Sequence, residues 1–286
     1  MTVERADAVR KAEVLVEALP FIRKFHGDTI VVKLGGSSME EAKANVLEDI
    51  VLLRYVGMNP VVVHGGGREI TAWQQKMGIE SRFVDGLRVT DEDSIEVVKM
   101  VLTGKVNPEL VSALNALGGQ AVGMSGEDGP CILVKPAGGA NGEDLGLVGE
   151  VAQVNPEPIR ALLDRNYIPV IASLGLGYDG KSYNVNADTV AAELAVALGA
   201  RKVILLTDVE GIKDEGGELI AEIVAHDVTE KIHDGIVTGG MIPKVKACVR
   251  ALAGVEKAHI IDGRVPHALL LELLTTEGIG TMIVPG

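Results

Sequence analysis

A lysine two residues ahead of a glycine pair is the first feature of this sequence that could do chemistry. Residues 29–38 read TIVVKLGGSS. Ile30, Val31 and Val32 form a short apolar, β-rich run that reads as a buried strand. Lys33, Gly35 and Gly36 follow. Residues 39–55 then carry Val46, Ile50 and Leu53 at helical spacing, with Gly57 as the C-cap. A strand that passes through a Gly-Gly turn into a helix offers unpaired backbone N–H groups and the positive end of a helix dipole to an anion. Lys33 adds a full charge. The plainer alternative is a tight turn with no ligand. PVVVHGGG at 60–67 repeats the pattern ahead of a helical stretch at 68–77, which favours the anion site. His64 has no partner visible in the sequence and reads as structural.

A second glycine run competes for the nucleotide. GLGYDGKS at 175–182 matches G-x-x-x-x-G-K-[ST], and its first six residues match G-x-G-x-x-G. The run VILLTD at 203–208 could pass for the acidic strand that accompanies such a loop. Both patterns need a helix to begin at once, so that its N–H groups cradle the phosphate. Here YNVNAD follows and alternates like a strand, and the next helix starts near Asp188. Asp179 would also point a negative charge at the phosphate. The expectation is a surface hairpin turning at Asp179-Gly180, with the P-loop kept as the alternative.

The elements that must position these residues alternate along the chain. Strand patterns at 121–124, 168–172, 203–206, 258–261 and 282–284 interleave with helical ones at 108–117, 156–165, 188–198, 241–252 and 267–274. This predicts an α/β fold, a mainly parallel sheet with helices on both faces and hairpins at an edge. The hairpins are 82–90, turning at Asp85-Gly86, and the pair 131–134 with 147–154. Thr90 is expected to cap the helix that follows, with Asp93 three residues on. Residues 2–25 read as a helix outside the alternation, kinked or broken at Pro20. A break near Ala200 would separate a lobe carrying both glycine turns, 26–200, from a smaller lobe, 201–286. Ligands of such sheets sit beyond the carboxyl ends of the strands, where both glycine turns fall.

Composition narrows the function classes. The net charge is −13 over 286 residues, which argues against nucleic acid and anionic membrane as partners. Cys131 and Cys248 have no metal-ligand spacing, and two thiols in a chain of this size suggest a reducing, cytoplasmic setting. The N-terminus has no signal-peptide pattern and no apolar run is long enough to span a membrane.

The two glycine turns, NVNAD at 184–188, LLTDVEGI at 205–212 and GGMIPKV at 239–245, in that order with HGGG and DGLRVT, resemble the amino acid kinase family over residues 29–286. One departure is GGSSM at 35–39, where many members have GGNAM. The resemblance implies a three-layer αβα sandwich and an ATP- and Mg2+-dependent phosphotransferase. Within the family the chain is similar to the branch that phosphorylates the side-chain carboxylate of N-acetyl-L-glutamate in arginine biosynthesis. The carry-over places Lys33 and Lys244 on the transferring phosphoryl group and Asp188 between them. Gly66, Gly67, Arg88 and Asn184 would bind the acyl amino acid. Gly35, Gly36, Thr207, Asp208, Gly211 and Lys244 would bind the nucleotide, and no protein-held metal is expected. A carboxylate nucleophile is already ionised near neutrality, so the chemistry asks for positioning and charge neutralisation rather than a strong base.

Members of the family with such an N-terminal helix are hexamers, trimers of dimers, inhibited by L-arginine. By resemblance, Lys202, His259, Glu272 and Gly278 fall where arginine would bind. The alternatives are an aminoadipate-type or glutamate 5-kinase, an aspartate kinase (disfavoured, since no long regulatory extension follows Val284), or a non-catalytic sensor on the same fold. Retention of Lys33, Asp188 and Lys244 together argues against the sensor.

Overall fold

Side chains in the central strands point alternately to opposite faces, and that alternation sorts the helices into two layers. A computed structural model describes residues 3–35, 43–139 and 142–286. Gly36 lies outside the described residues. Strands β1 (Thr29–Leu34), β2 (Asn59–His64), β5 (Ala121–Ser125), β8 (Ile168–Ala172), β11 (Lys202–Thr207), β12 (Glu222–Val224), β13 (Lys257–Asp262) and β14 (Thr281–Val284) build an eight-stranded sheet. Its order is β12-β14-β13-β11-β1-β2-β8-β5. All neighbours are parallel except β13 and β14.

Ile30, Val32, Val62, Val170, Ile204 and Leu206 face helices α2 (Lys43–Tyr55), α5 (Asn107–Ala116) and α10 (Ala268–Leu274). Val31, Val61, Val63, Ile171, Val203 and Leu205 face α3 (Gly67–Lys76), α4 (Glu92–Val101), α7 (Ala187–Leu198) and α9 (Met241–Ala251). The expected αβα sandwich with a mainly parallel sheet is therefore observed. The proposed break near Ala200 falls where the chain passes from α7 into β11, which pairs directly with β1.

Several local expectations change. The hairpins do not extend the edge of the main sheet. β6 (Ile132–Gly138), β7 (Asp144–Val154), β9 (Leu174–Gly177) and β10 (Ser182–Asn184) close on one another as a separate four-stranded unit. β3 (Phe83–Val84) and β4 (Leu87–Arg88) pair alone around Asp85 and Gly86, both at positive φ as a tight hairpin turn requires. Helix α1 (Val3–Phe25) runs unbroken through Pro20. Thr90 is not the cap of α4: the Asp91 carboxylate accepts the Ser94 N–H, while the Thr90 hydroxyl donates to the Arg88 carbonyl. Between α4 and α5 the chain makes a π turn, Leu102–Val106, that no sequence signal announced. The segment after β11 adds β12 and helix α8 (Val228–His233), which the apolar pattern left unread. Among the described residues no helix is long and apolar enough to cross a membrane.

The G-K-S run forms the hairpin β9–β10. Gly180 sits at φ 80°, and the Lys181 ammonium reaches Glu92 on the surface. Lys181→Ala is expected to leave the urea unfolding midpoint unchanged, because exposed ion pairs contribute little. Leu53→Ala, in the core between α2 and the sheet, should lower stability by about 2–5 kcal/mol with an unchanged urea m-value. Urea titrations followed by far-UV circular dichroism check both.

Candidate active site

The carboxyl ends of β1, β2 and β11 lie side by side, and the residues singled out in the sequence gather there. Lys33 is on β1 opposite Val63 and Leu205. It shares the face of Val31 and so points toward α7 and α9. Asp188 occupies the first turn of α7. Asn186 caps that helix, its side-chain oxygen accepting the N–H groups of Asp188 and Thr189 at 2.9 and 3.1 Å. Lys244 lies in the first turns of α9.

The three charges meet. Lys33 Nζ is 2.9 Å from Asp188 Oδ1, and Lys244 Nζ donates to Asp188 Oδ2 at 2.9 Å. Lys33 and Asp188 are buried. Burial works against charge on Asp188, yet the two ammonium groups hold its carboxyl below the usual carboxylate range. Burial pushes the Lys33 ammonium below the ordinary lysine value, with Asp188 opposing. With all three ionised the cluster carries one net positive charge. Asp188 also sits at a helix N-terminus, where a negative charge is favoured.

The glycines around the cluster have specific reasons. A Cβ on Gly35 would collide with the Lys33 ammonium, so the lysine folds back over the turn only because the position is bare. Gly65 faces Ala187 at the start of α7. α3 opens at Gly67, whose first-turn N–H groups have no acceptor within the helix. Gly211, at φ 145°, lies so close to Thr281 of β14 that no side chain would fit. Thr207 is buried at the end of β11, with Asp208 beside it.

Arg88 is brought to the HGGG turn, but in a way the sequence did not suggest. Its Nη1 donates to Gln74 Oε1 and Ser81 Oγ, and its Nη2 to the Gly67 carbonyl and Thr71 Oγ1, at 2.6–2.9 Å. Phe83 stacks on the guanidinium. The Asn184 amide donates to Thr90 Oγ1 at 3.2 Å, which joins it to the strand of Arg88. Gln74 was missed, though it left a signal: it is a polar residue four positions after Ile70 on the buried stripe of α3.

Lys202, His259, Glu272 and Gly278 gather elsewhere, at a cavity of about 200 Å³ walled by Phe21 and Phe25 of α1. One oxygen of Glu272 takes both partners, His259 Nδ1 at 2.8 Å and Lys202 Nζ at 3.1 Å. Burial opposes the charge of Glu272, but His259 and Lys202 keep its carboxyl below its ordinary value. Among the described residues no three His, Cys, Asp or Glu side chains are arranged to hold a metal ion.

The chain is similar to known proteins in sequence and in fold. The acetylglutamate kinase of Caldanaerobacter subterraneus subsp. tengcongensis is 54% identical over 283 residues, covering 97% of this chain and 94% of that one. Among solved structures, N-acetylglutamate synthase from Neisseria gonorrhoeae in complex with coenzyme A and N-acetyl-glutamate superposes with a TM-score of 0.85 at 28% identity. That match covers 96% of this chain and 63% of the longer neighbour. The same synthase in complex with coenzyme A and L-arginine gives a TM-score of 0.80 at 26% identity, covering 96% of this chain and 65% of that one. The family model for amino acid kinases matches residues 28–262, and the chain belongs to the amino acid kinase family.

Proposed function

We propose that this chain transfers the γ-phosphoryl group of ATP to the side-chain carboxylate of N-acetyl-L-glutamate, giving N-acetyl-L-glutamyl 5-phosphate in arginine biosynthesis. The observation that carries the reading is the Lys33–Asp188–Lys244 cluster beside two glycine turns. The obstacle in this reaction is electrostatic: an anionic nucleophile must approach an anionic phosphoryl group. Two ammonium groups aimed at the transferring group from β1 and α9 neutralise charge where it concentrates, and Asp188 keeps both in place. Residues 26–200 supply the acceptor side, and residues 201–286 supply the nucleotide turn at Thr207, Asp208 and Gly211. Gly35 and Gly36 serve the phosphates. Mg2+ comes with ATP, held largely by phosphate oxygens and spreading their charge.

On the acceptor side, Gly66 and Gly67 offer N–H groups, and Asn184 and Arg88 take the α-carboxylate end. Arg88 already spends its Nη hydrogens on the protein. Its grip on a carboxylate uses the edge carrying Nε and Nη2, exchanging the half-buried Thr71 hydroxyl for a carboxylate oxygen. The free, buried thiols of Cys131 and Cys248 suit the reducing cytoplasm.

The cavity under α1 supports feedback inhibition by L-arginine. Glu272 is a buried carboxylate suited to a guanidinium, and the synthase neighbour is known in complex with L-arginine. The ligand must bind two arrangements of the enzyme with different affinity to inhibit. α1 carries Val14, Leu15 and Val16 at 58–73% exposure, an apolar surface that a second copy would cover in a hexamer built from dimers.

Kinetics and light scattering check these readings. In a coupled ADP-release assay, N-acetyl-L-glutamate should outrun glutamate, aspartate and N-acetyl-aminoadipate. Lys33→Ala and Lys244→Ala should each lower kcat by about 10²-fold or more, with activity of the parent enzyme falling at an alkaline pH below the ordinary lysine pKa as Lys33 deprotonates. Arg88→Lys should raise KM for the acyl amino acid far more than KM for ATP, because a lysine cannot reproduce the two-pronged contact. An equal rise in both would remove Arg88 from the acceptor site. Finally, Glu272→Gln should abolish arginine inhibition at unchanged kcat, and Leu15→Glu with Val16→Glu should yield active dimers by light scattering. A double variant that stays hexameric excludes α1 from the assembly.

A further inference from the structure

The π turn Leu102–Val106 and the residue after it close on the HGGG turn. A Cβ on Gly66 would lie 2.8 Å from Leu102 Cδ2 and 3.3 Å from Val106 Cγ2, so the π turn limits how deep the glycines can sit. Such turns recur at functional sites. Asn107, the first residue of α5, is buried. Its Nδ2 donates to the Val170 carbonyl of β8 at 2.9 Å and lies 2.9 Å from His64 Nε2. Its Oδ1 packs against Gly123 on β5, where a Cβ would collide with it.

These contacts decide where the proton of His64 resides. A main-chain carbonyl only accepts, so the Asn107 atom facing Val170 must be the amide nitrogen. His64 Nε2 lies 2.9 Å from that nitrogen, closer than the Met124 carbonyl at 3.5 Å, and an amide nitrogen accepts no hydrogen bond, so Nε2 must be the bare nitrogen of the ring. The proton is on Nδ1, and Nδ1 lies 3.0 Å from the Gly65 carbonyl, again an acceptor only. The contacts from Asn107 through His64 to the Gly65 carbonyl run in one direction, and the Nδ1–H tautomer fits them.

The consequence falls on the Gly65–Gly66 peptide. No cis peptide occurs in the described residues, and in a trans unit the N–H points opposite to the C=O. Three consecutive glycines can also flip their peptides at little steric cost. A flipped Gly65–Gly66 unit would show its carbonyl dipole, rather than its N–H, to an anion. We propose that His64, held as the neutral Nδ1–H tautomer by Asn107, is a positioning residue that sets the plane of the Gly65–Gly66 peptide and so aims the Gly66 N–H at the acyl amino acid. This rests on the reading of Gly66 and Gly67 as acceptor-binding groups.

The tautomer and its effect on the acceptor are tested separately. In protein labelled with nitrogen-15 histidine, long-range proton–nitrogen correlation at neutral pH should show His64 protonated on Nδ1 and bare on Nε2. Protonation on Nε2 overturns the proposal without touching the kinase assignment. In kinetics, His64→Asn keeps an amide nitrogen at the Nδ1 position, and His64→Gln moves it to that of Nε2. His64→Asn should hold kcat/KM for N-acetyl-L-glutamate within about threefold of the parent. His64→Gln should lower it by tenfold or more, toward the roughly hundredfold scale of losing one oriented donor, with KM for ATP unchanged in both. Equal activity or equal loss in the two variants overturns the proposal. If Arg88→Lys also leaves the acceptor KM unmoved, the acceptor-site reading itself fails. If Arg88→Lys behaves as expected, only the role of His64 does.

Discussion

One carboxylate holds two lysines from separate elements, and the rest of the structure is arranged so that it can. Asp188 is buried, and a buried charge is tolerable only with close partners. It has two, one on a strand and one on a helix, 2.9 Å away on separate oxygens. It also has the N-terminus of α7 beneath it, with Asn186 capping the first turn. Neither lysine would be rigid alone, because each ends a long flexible stem. Pinned to the same carboxylate, they become a fixed pair of positive charges at the carboxyl edge of the sheet. For a transfer between two anions, that fixed geometry is what a solvated lysine lacks.

The sheet supplies the frame through its period of two. Val31 and Lys33 point the same way, so the strand that buries a valine against α7 necessarily delivers its lysine to the same layer. α7 packs across β1, β2 and β11, and α9 packs on α7. The two glycine turns then serve different close approaches. Gly35 makes room for the Lys33 ammonium, and Gly66 makes room for the π turn. A side chain at either place would displace a piece of the site rather than only strain the backbone.

The second cluster obeys the same logic with one carboxylate oxygen in place of two. Around Glu272 a single oxygen serves His259 and Lys202, and the ring of Phe25 from α1 lies 5.4 Å from the same ammonium. Helix α10, which carries Glu272, is tied back to α2 by Asp49, a fully buried carboxylate on His267 Nδ1 at 2.7 Å. The cavity is thus connected by packed elements to the helix that follows the first glycine turn.

What the sequence by itself determined was the local part. The β-branched runs, the glycines at their ends and the apolar spacing of the helices specified most elements of the αβα sandwich, since strand and helix periods depend on neighbours only a few residues away. The order of Lys33, HGGG, NVNAD and Lys244 was enough to nominate the reacting groups. The failures were contacts set from far along the chain. Thr90 looks like a cap until its main chain pairs with Leu145 and Leu147, and the four short strands close on themselves only because β6 finds β9 and β7 finds β10. The inward turn of Arg88 onto Gln74 and Ser81, and the proton position on His64, are decided by atoms on other elements. Hydrogen-bond direction depends on which groups the tertiary fold places within 3 Å, and linear spacing carries no record of that.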